Sequence, residues 1–403
     1  MKAGGDLRLK FTSTVPLKYG ANAAAEFDDP DWPRFIRITD ITSRGALRED
    51  TFRSLPPEIA AGYELEVGDI LLARSGATVG KAFIYDASWG AACYAGYLIR
   101  SRTSARFCPK FIYWYLQSAP YWGEIQSNLI QATIQNFSAE KYANLRLPVF
   151  SLAIQERIAS FLDEKTARID ALVAKKQALL EQLGEKRQAT ITRAVTKGLH
   201  PRAPMRDSGV DWLGTIPAHW GVRALRFAVE NLNRMRVPIA AELRKGIERL
   251  YPYYGASGII DYVDDYIFDF PTVLVAEDGA NLLSRSTPLA FCASGKYWVN
   301  NHAHILRPTA LSIWFCAAQL AMYPLDPHIS GSAQPKLTKD NLMSLPIWIP
   351  PRVEQSAIEN AVTADLAAID PVIEKCETSV QLLTEFRDAL ITAAVTGQIA
   401  GLL

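Results

Sequence analysis

Ile191-Thr192-Arg193-Ala194-Val195-Thr196 is matched by Ile391-Thr392-Ala393-Ala394-Val395-Thr396, so the 403-residue chain repeats itself at an offset of 200. The match extends upstream without a gap. Ile169-Asp170 pairs with Ile369-Asp370, Lys175 with Lys375, Leu183 with Leu383, Arg187 with Arg387, Ile158 with Ile358 and Gln155 with Gln355. Just before these lie Leu147-Pro148 and Leu345-Pro346, each preceded by an Asn-Leu pair. Self-similarity at a fixed spacing is the mark of duplicated architecture.

Both copies read as long helices. From about residue 153 to 197 there is no proline, and Gly184 is the one glycine before a stop at Gly198. Ile158, Leu162, Ile169, Val173, Leu180, Leu183, Ile191 and Ala194 recur at three- and four-residue steps, an apolar stripe on one helical face. At 1.5 Å per residue such a helix reaches roughly 66 Å. A stripe of that length cannot be buried within one small domain and needs a partner of similar length. The second copy supplies one, with Ile358, Val362, Leu366, Ile369, Ile373, Val380, Leu383, Leu390 and Ile391. Pro371 lies inside it, which predicts a kink or break.

Charge supports pairing. The chain nets +1, but residues 144–200 carry 10 Lys/Arg and 6 Asp/Glu, while residues 343–403 carry 3 and 8. Opposite charge beside an apolar seam favours hetero-pairing. The other reading is two separate helices, one on each domain.

The segments ahead of the helices are mixed. In the first, Phe35–Ile38 and Ile70–Ala73 read as strands, the latter between Gly68-Asp69 and Ser75-Gly76, and residues 109–117 read as a helix. In the second, Thr272–Ala276 and Tyr297–Val299 read as strands and residues 311–322 as a helix. Beyond this plan the two do not match. The fold class is therefore α/β (α+β): two mixed domains and two long helices forming an antiparallel coiled coil, in a pseudo-two-fold arrangement. The boundaries are 1–145, 146–200, 201–345 and 346–403.

Composition, with 49% hydrophobic and 21% charged residues, is that of a globular protein. No apolar run is long enough for a membrane span and the first residues show no signal peptide, so the cytoplasm is the expected compartment. Cys93, Cys108, Cys292, Cys316 and Cys376 are odd in number and form no C-x-x-C pair; they read as buried small hydrophobes.

Asp207-Ser208-Gly209-Val210-Asp211-Trp212-Leu213-Gly214-Thr215-Ile216-Pro217-Ala218-His219-Trp220 resembles the half-opening motif of the specificity subunits of type I restriction–modification enzymes. Arg37–Ile41, Gly68–Leu71 and Gly76–Lys81 resemble parts of that family's target recognition domain. Glu277–Asn281 and Gly295–His304 resemble a variant of it. The Leu-Pro stretches leading to Gln155-Glu156 and Glu354-Gln355 resemble the entry to its helical spacers. The first half lacks an Ile-Pro-x-x-Trp string, and Pro350-Pro351 stands where the first junction has Ser151-Leu152.

The resemblance implies a non-catalytic subunit that binds double-stranded DNA. Each recognition domain would read one half of a split target, and the helical pair would set the gap. Methylation subunits carrying S-adenosylmethionine would join it, and motor–nuclease (restriction) subunits using ATP and Mg would act in cleavage. No cofactor is expected in this chain. Near-neutral domains predict modest DNA affinity alone, since phosphate neutralisation supplies much of such binding.

Arg and Lys favour guanine edges, and Asn and Gln favour adenine. On the loops this marks Arg74, Ser75, Thr78, Lys81, Gln131, Gln135 and Asn136 in the first domain. In the second it marks Asn281, Arg285, Asn300, Asn301 and Lys336, with Tyr253 and Tyr254 as stacking or phosphate contacts. An alternative is a metal-dependent nuclease, with His302 and His304 on one face of a strand near Glu277 or Asp278. A coiled-coil scaffold without DNA is the third reading. No phosphate loop of the G-x-x-x-x-G-K-[ST] type, no Asn/Asp-Pro-Pro-Tyr string and no G-x-S-x-G elbow occurs.

Overall fold

The computed structural model describes residues 5–42, 47–130, 136–244, 248–331 and 334–403. The chain divides into two compact units, residues 1–178 with 376–403, and residues 179–375. Each long helix therefore gives one part to each unit.

The first long helix is Leu152–Lys197 and the second is Arg352–Val395. Gly198 and Gly397 stop them at φ +69° and +73°, in the left-handed region where a residue without Cβ is unstrained. Pro371 causes no break: the second helix runs through it. A helix-interior proline costs about 3 kcal/mol. Ile358, Val362, Leu366 and Ile369 are all buried just upstream, each contributing about 1.5–3 kcal/mol, which outweighs it.

The helices pair antiparallel inside each unit. In the first unit Ile158 and Leu162 share a core with Ile391, Ala394 and Val395. In the second, Ala194 and Val195 share one with Ile358, Val362, Leu366 and Ile369. The start of one helix thus meets the end of the other, twice.

The mixed domains match more closely than their sequences suggest. The first holds a four-stranded antiparallel sheet in the order Lys18–Tyr19, Leu98–Ser101, Ile70–Ala73, Ala82–Ile84. The second has Val229–Asn231, Ala303–Pro308, Thr272–Ala276, Ala290–Ala293. Numbered along the chain, both sheets have the order first, fourth, second, third. The central strands are buried on both faces, which explains their unbroken apolar runs. Ile70 and Leu72 face the core containing the long helices, while Leu71 and Ala73 face a smaller outer core. Val273 and Val275 divide from Leu274 in the same way. Helix Pro109–Tyr115 packs on strand Ala82–Ile84, and helix Ile313–Met322 on strand Ala290–Ala293.

Two further sequence expectations need correction. The strand at Phe35 is Arg34–Ile36, and Ile38–Asp40 is a 3-10 turn held by Arg37 bonding to Asp40 at 2.7 Å. Of the cysteines, Cys292 is exposed and Cys108 half-buried, because Cys292 lies in the outer strand of its sheet. Among the described residues no helix is long and apolar enough to cross a membrane.

Candidate nucleic-acid interface

In the first unit the chain leaves strand Ile70–Ala73 into a loop fixed from beneath by two buried tyrosines. Tyr142 Oη donates to Ala73 O at 2.6 Å and accepts from Gly80 N at 3.0 Å, while Tyr121 Oη donates to Gly80 O at 2.5 Å. Burial pushes both phenols above their ordinary pKa. Gly80 has φ +87°, and a Cβ there would meet Trp122 at 2.7 Å. The loop is thus clamped at its base.

Arg74, Ser75 and Asn136 come together. Ser75 and Asn136 form an antiparallel bridge, and Phe137 N donates to Arg74 O at 2.8 Å. The Arg74 guanidinium stacks over Tyr19, 4.8 Å from the ring centre. Asn136 is exposed. Thr78 is on the same turn, its Oγ1 donating to Ser75 O at 3.3 Å, and with Lys81 it also lines a cavity of about 810 Å3 with Asp170, Arg387 and Thr392 of the long helices. Gln131 and Gln135 lie outside the described residues.

In the second unit the centre is a carboxylate that sequence reasoning did not single out for this role. Glu277 follows buried strand Thr272–Ala276. It pairs with Arg236 and, at 3.3 Å, with Lys336. Arg236 also donates to Asn301 O at 3.1 Å and Ala303 O at 3.0 Å. Burial alone would raise the Glu277 pKa, but the hydrogen bonds and charge of Arg236 and Lys336 outweigh it and hold the carboxyl below its ordinary value. One acid therefore ties together the segments bearing Arg236, Asn301 and Lys336. A charge at the end of a buried strand needs a partner, which was a signal in the sequence. That Arg236, 41 residues upstream, supplies it is a tertiary fact.

The other expected residues divide. Asn301 is exposed, and Lys336 is 52% exposed. Asn300 is buried, its Oδ1 accepting from His302 N at 2.8 Å. Asn281 staples its own loop, donating to Thr287 O at 3.2 Å and accepting from Ser286 Oγ and Thr287 N at 3.0 Å. Arg285 adopts φ 48°, donates to Tyr323 O at 2.8 Å and lines a cavity of about 950 Å3 with Arg187, Thr192 and Lys197. Tyr253 does not suit a stacking role. It is 1% exposed, accepts from Ile239 N at 3.0 Å and lies under Arg244. Tyr254 is half-buried against Phe291 and Tyr297.

The metal-nuclease alternative fails on His304. Its Nε2 donates to Leu337 O at 2.8 Å, and its Nδ1 accepts from Asn233 Nδ2 at 2.8 Å. The Asn233 amide is oriented by Ile305 N donating to its Oδ1 at 2.9 Å. Both imidazole nitrogens are engaged, and burial lowers the pKa, so the ring is neutral with its proton on Nε2. His302 instead pairs with Asp278 at 2.8 Å. Among the described residues no group of three or more His, Cys, Asp or Glu could hold a metal ion.

Comparison with known proteins agrees with the geometry. The family model "Type I restriction modification DNA specificity domain" matches twice, over residues 47–182 and 227–364. A putative type I restriction enzyme specificity subunit of Haemophilus influenzae is 36% identical over 134 residues, 33% of this chain and 34% of that protein. The StySPI specificity subunit of Salmonella potsdam is 29% identical over 207 residues, 49% of this chain and 43% of that one. The matches thus span a third to under half of these relatives' own lengths. In fold, the chain is similar to one from a study of complex assembly and conformational transition in the type I R-M system, with TM-score 0.69, 14% identity and 97% of each chain covered. With two family domains on two like sheets and an antiparallel helix pair, this chain belongs to the type I restriction–modification DNA specificity family.

Proposed function

We propose that this chain reads a split DNA target, one half with each unit, and that the two long helices set the gap between the halves. The observation that carries the reading is the duplication: the same sheet order, with different loops on each copy, joined to one helix pair. A continuous helix of 46 residues has a rise of about 69 Å. Half-sites on one side of B-DNA recur about every 34–36 Å, so a helix pair is long enough to fix such a spacing.

In this reading Asn136, Lys81, Arg285, Asn301 and Lys336 are exposed to a duplex, with Arg74 and Ser75 partly exposed beside Asn136. The chain itself is non-catalytic and works in the cytoplasm. Chemistry belongs to methylation subunits with S-adenosylmethionine and to restriction subunits with ATP and Mg.

Footprinting on the host's methylated sites, with the methylation subunit present, tests this. Two protected patches separated by an open gap are expected. A single continuous patch, or no protection, refutes it.

A further inference from the structure

The two recognition sheets end in rims that correspond residue by residue, although their loops differ in sequence. In the first unit Ala73 lies opposite Leu98, and in the second Ala276 lies opposite Ala303. One residue further on, Arg74 N donates to Tyr97 O at 3.1 Å, and Glu277 N to His302 O at 3.0 Å. The next residues form antiparallel bridges, Ser75 with Asn136 and Asp278 with Lys336. Phe137 N donates to Arg74 O and Leu337 N to Glu277 O, each at 2.8 Å. Tyr97 and His302 therefore occupy the same place in the two frames, just ahead of a central strand of each sheet.

Both side chains meet water. Tyr97 is 64% exposed and the His302 side chain 48% exposed. A lone exposed tyrosine or histidine is ordinary, but the backbone at each of these is held a second time. The carbonyl of the preceding residue accepts from a guanidinium: Gly96 O from Arg74 Nη1 at 3.4 Å, and Asn301 O from Arg236 Nη1 at 3.1 Å. The two arginines come from different segments. Arg74 stands at the place that Glu277 takes in the second unit, and Arg236, paired with that carboxylate, brings the cation back from elsewhere. The cation is kept while its source has changed. Such a rim is rigid in both units, as a residue that must present its side chain in one geometry requires.

The side chains differ where the frame does not. His302 Nδ1 donates to Asp278 Oδ1 at 2.8 Å, which leaves Nε2 of the neutral ring as an acceptor. Tyr97 offers a phenol hydroxyl, both donor and acceptor, and has Ser75 and Asn136 beside it in place of Asp278 and Lys336. Beneath both rims the strand residues stay apolar, Leu72 and Val275 among them, because the core requires it. A position held alike in both units, with an exposed side chain that packing does not dictate, is where two copies of one frame can acquire different base preferences. Base edges differ in their donors and acceptors and so discriminate between such side chains.

We propose that Tyr97 and His302 are equivalent specificity-determining positions, each meeting base edges in its own half of the DNA target, and that the residue at this place sets which base is accepted. Both lie inside the two segments that match the DNA specificity domain, and each has an exposed polar residue on the neighbouring bridge, Asn136 or Lys336. This rests on the reading that each unit reads one half of a split target.

Sequencing of methylated adenines tests the assignment, on plasmid DNA incubated with S-adenosylmethionine, the full chain and the methylation subunit of its own system. The unaltered complex is expected to give one two-part motif. Y97A should relax one base pair in one half and H302A one base pair in the other, with discrimination there falling about 5- to 150-fold and the opposite half unchanged. The Tyr97 ring is exposed, so thermal melting of Y97A should match the unaltered chain. H302Q keeps a donor for Asp278 and should alter the same base pair as H302A, which carries the test if H302A does not fold. Variants that leave every base choice intact overturn the assignment. So do variants that slow methylation of all targets equally, which would make the position a phosphate contact, and variants that both act on the same half. An unaltered complex that gives no two-part motif overturns the split-target reading itself.

Discussion

Arg187 Nε lies 2.9 Å from Asp370 Oδ1, across the helix pair of the second unit. In the first unit Arg387 Nε lies 3.1 Å from Asp170 Oδ1. The two pairs exchange positions at an offset of 200: each arginine's counterpart is the other arginine, and each aspartate's the other aspartate. The antiparallel pairing is thus written once and used twice. The two copies are not equal in surroundings. Arg187 is 44% exposed, whereas Arg387 is 22% exposed and has its guanidinium 5.8 Å from the Trp114 ring. Its Nε makes no well-directed hydrogen bond, so distance alone defines that ion pair. R187A is expected to cost below about 1 kcal/mol, as exposed pairs do. R387A should cost more, through lost packing of its stem and ring contact. Urea unfolding of both variants checks the order.

Gln155 and Gln355 are buried at the starts of the helices, where they replace missing backbone partners. Gln155 accepts from Cys108 N at 2.9 Å and donates to Phe150 O at 2.8 Å. Gln355 accepts from Ser312 N at 2.6 Å and donates to Pro350 O at 2.8 Å. Leucine at either position would leave a buried N–H and a buried C=O unpaired, at about 1–3 kcal/mol for each group. Q155L and Q355L should therefore both be strongly destabilising, and Q155E less so, since it keeps the acceptor. Melting temperatures of the four proteins settle the ranking.

Two glycines should respond in opposite directions to alanine. Gly184 sits inside the first long helix, with nothing within 4 Å of where an alanine methyl would stand. G184A should stabilise by about 0.5–1 kcal/mol through helix propensity. Gly80 has φ +87° and Trp122 at 2.7 Å from such a methyl, so G80A should destabilise the loop that carries Arg74 and Ser75. Denaturant midpoints give the sign of each.

The helices were legible in the sequence because their signal is long. Dozens of residues share one period, and the offset of 200 compares two copies of it. The equivalence of the two sheets was not legible. Their strands are two to six residues long, and their pairing joins distant segments such as Lys18–Tyr19 and Leu98–Ser101. Asparagine and tyrosine on a loop look alike whether they face solvent or staple the loop. Asn281 and Tyr253 took the second role, and only their neighbours reveal it.

His304 gives the second unit a dependence on acidity. Its pKa lies below the ordinary 6.5 in the folded chain, because burial penalises the cation. The unfolded chain therefore takes up the proton first. The contribution to stability is complete above about pH 6.5 and is lost as pH falls toward the depressed folded value. Unfolding free energy measured from pH 7.5 to 5 should fall with acidification, and H304Q should flatten that slope. An unchanged slope in H304Q would assign the effect to other groups.

Exposed and stapled asparagines in the second unit separate reading DNA from holding the reader. Asn301 is exposed, and its carbonyl accepts from Arg236 at 3.1 Å. N301A should leave stability within about 0.5 kcal/mol and relax target choice at one base, a change of about 1–3 kcal/mol in discrimination. N281A should do the reverse, loosening the loop between residues 281 and 287 and weakening binding to every sequence alike. Lys336 adds a third pattern. Its Nζ is 3.3 Å from Glu277 yet half-exposed, so if it meets a phosphate, K336A should reduce affinity for all duplexes and lower the salt dependence by about one counterion. Duplex binding by the assembled complex, across a set of single-base variants at two salt concentrations, distinguishes the three. If N301A weakens all targets equally, Asn301 positions the protein and does not read sequence.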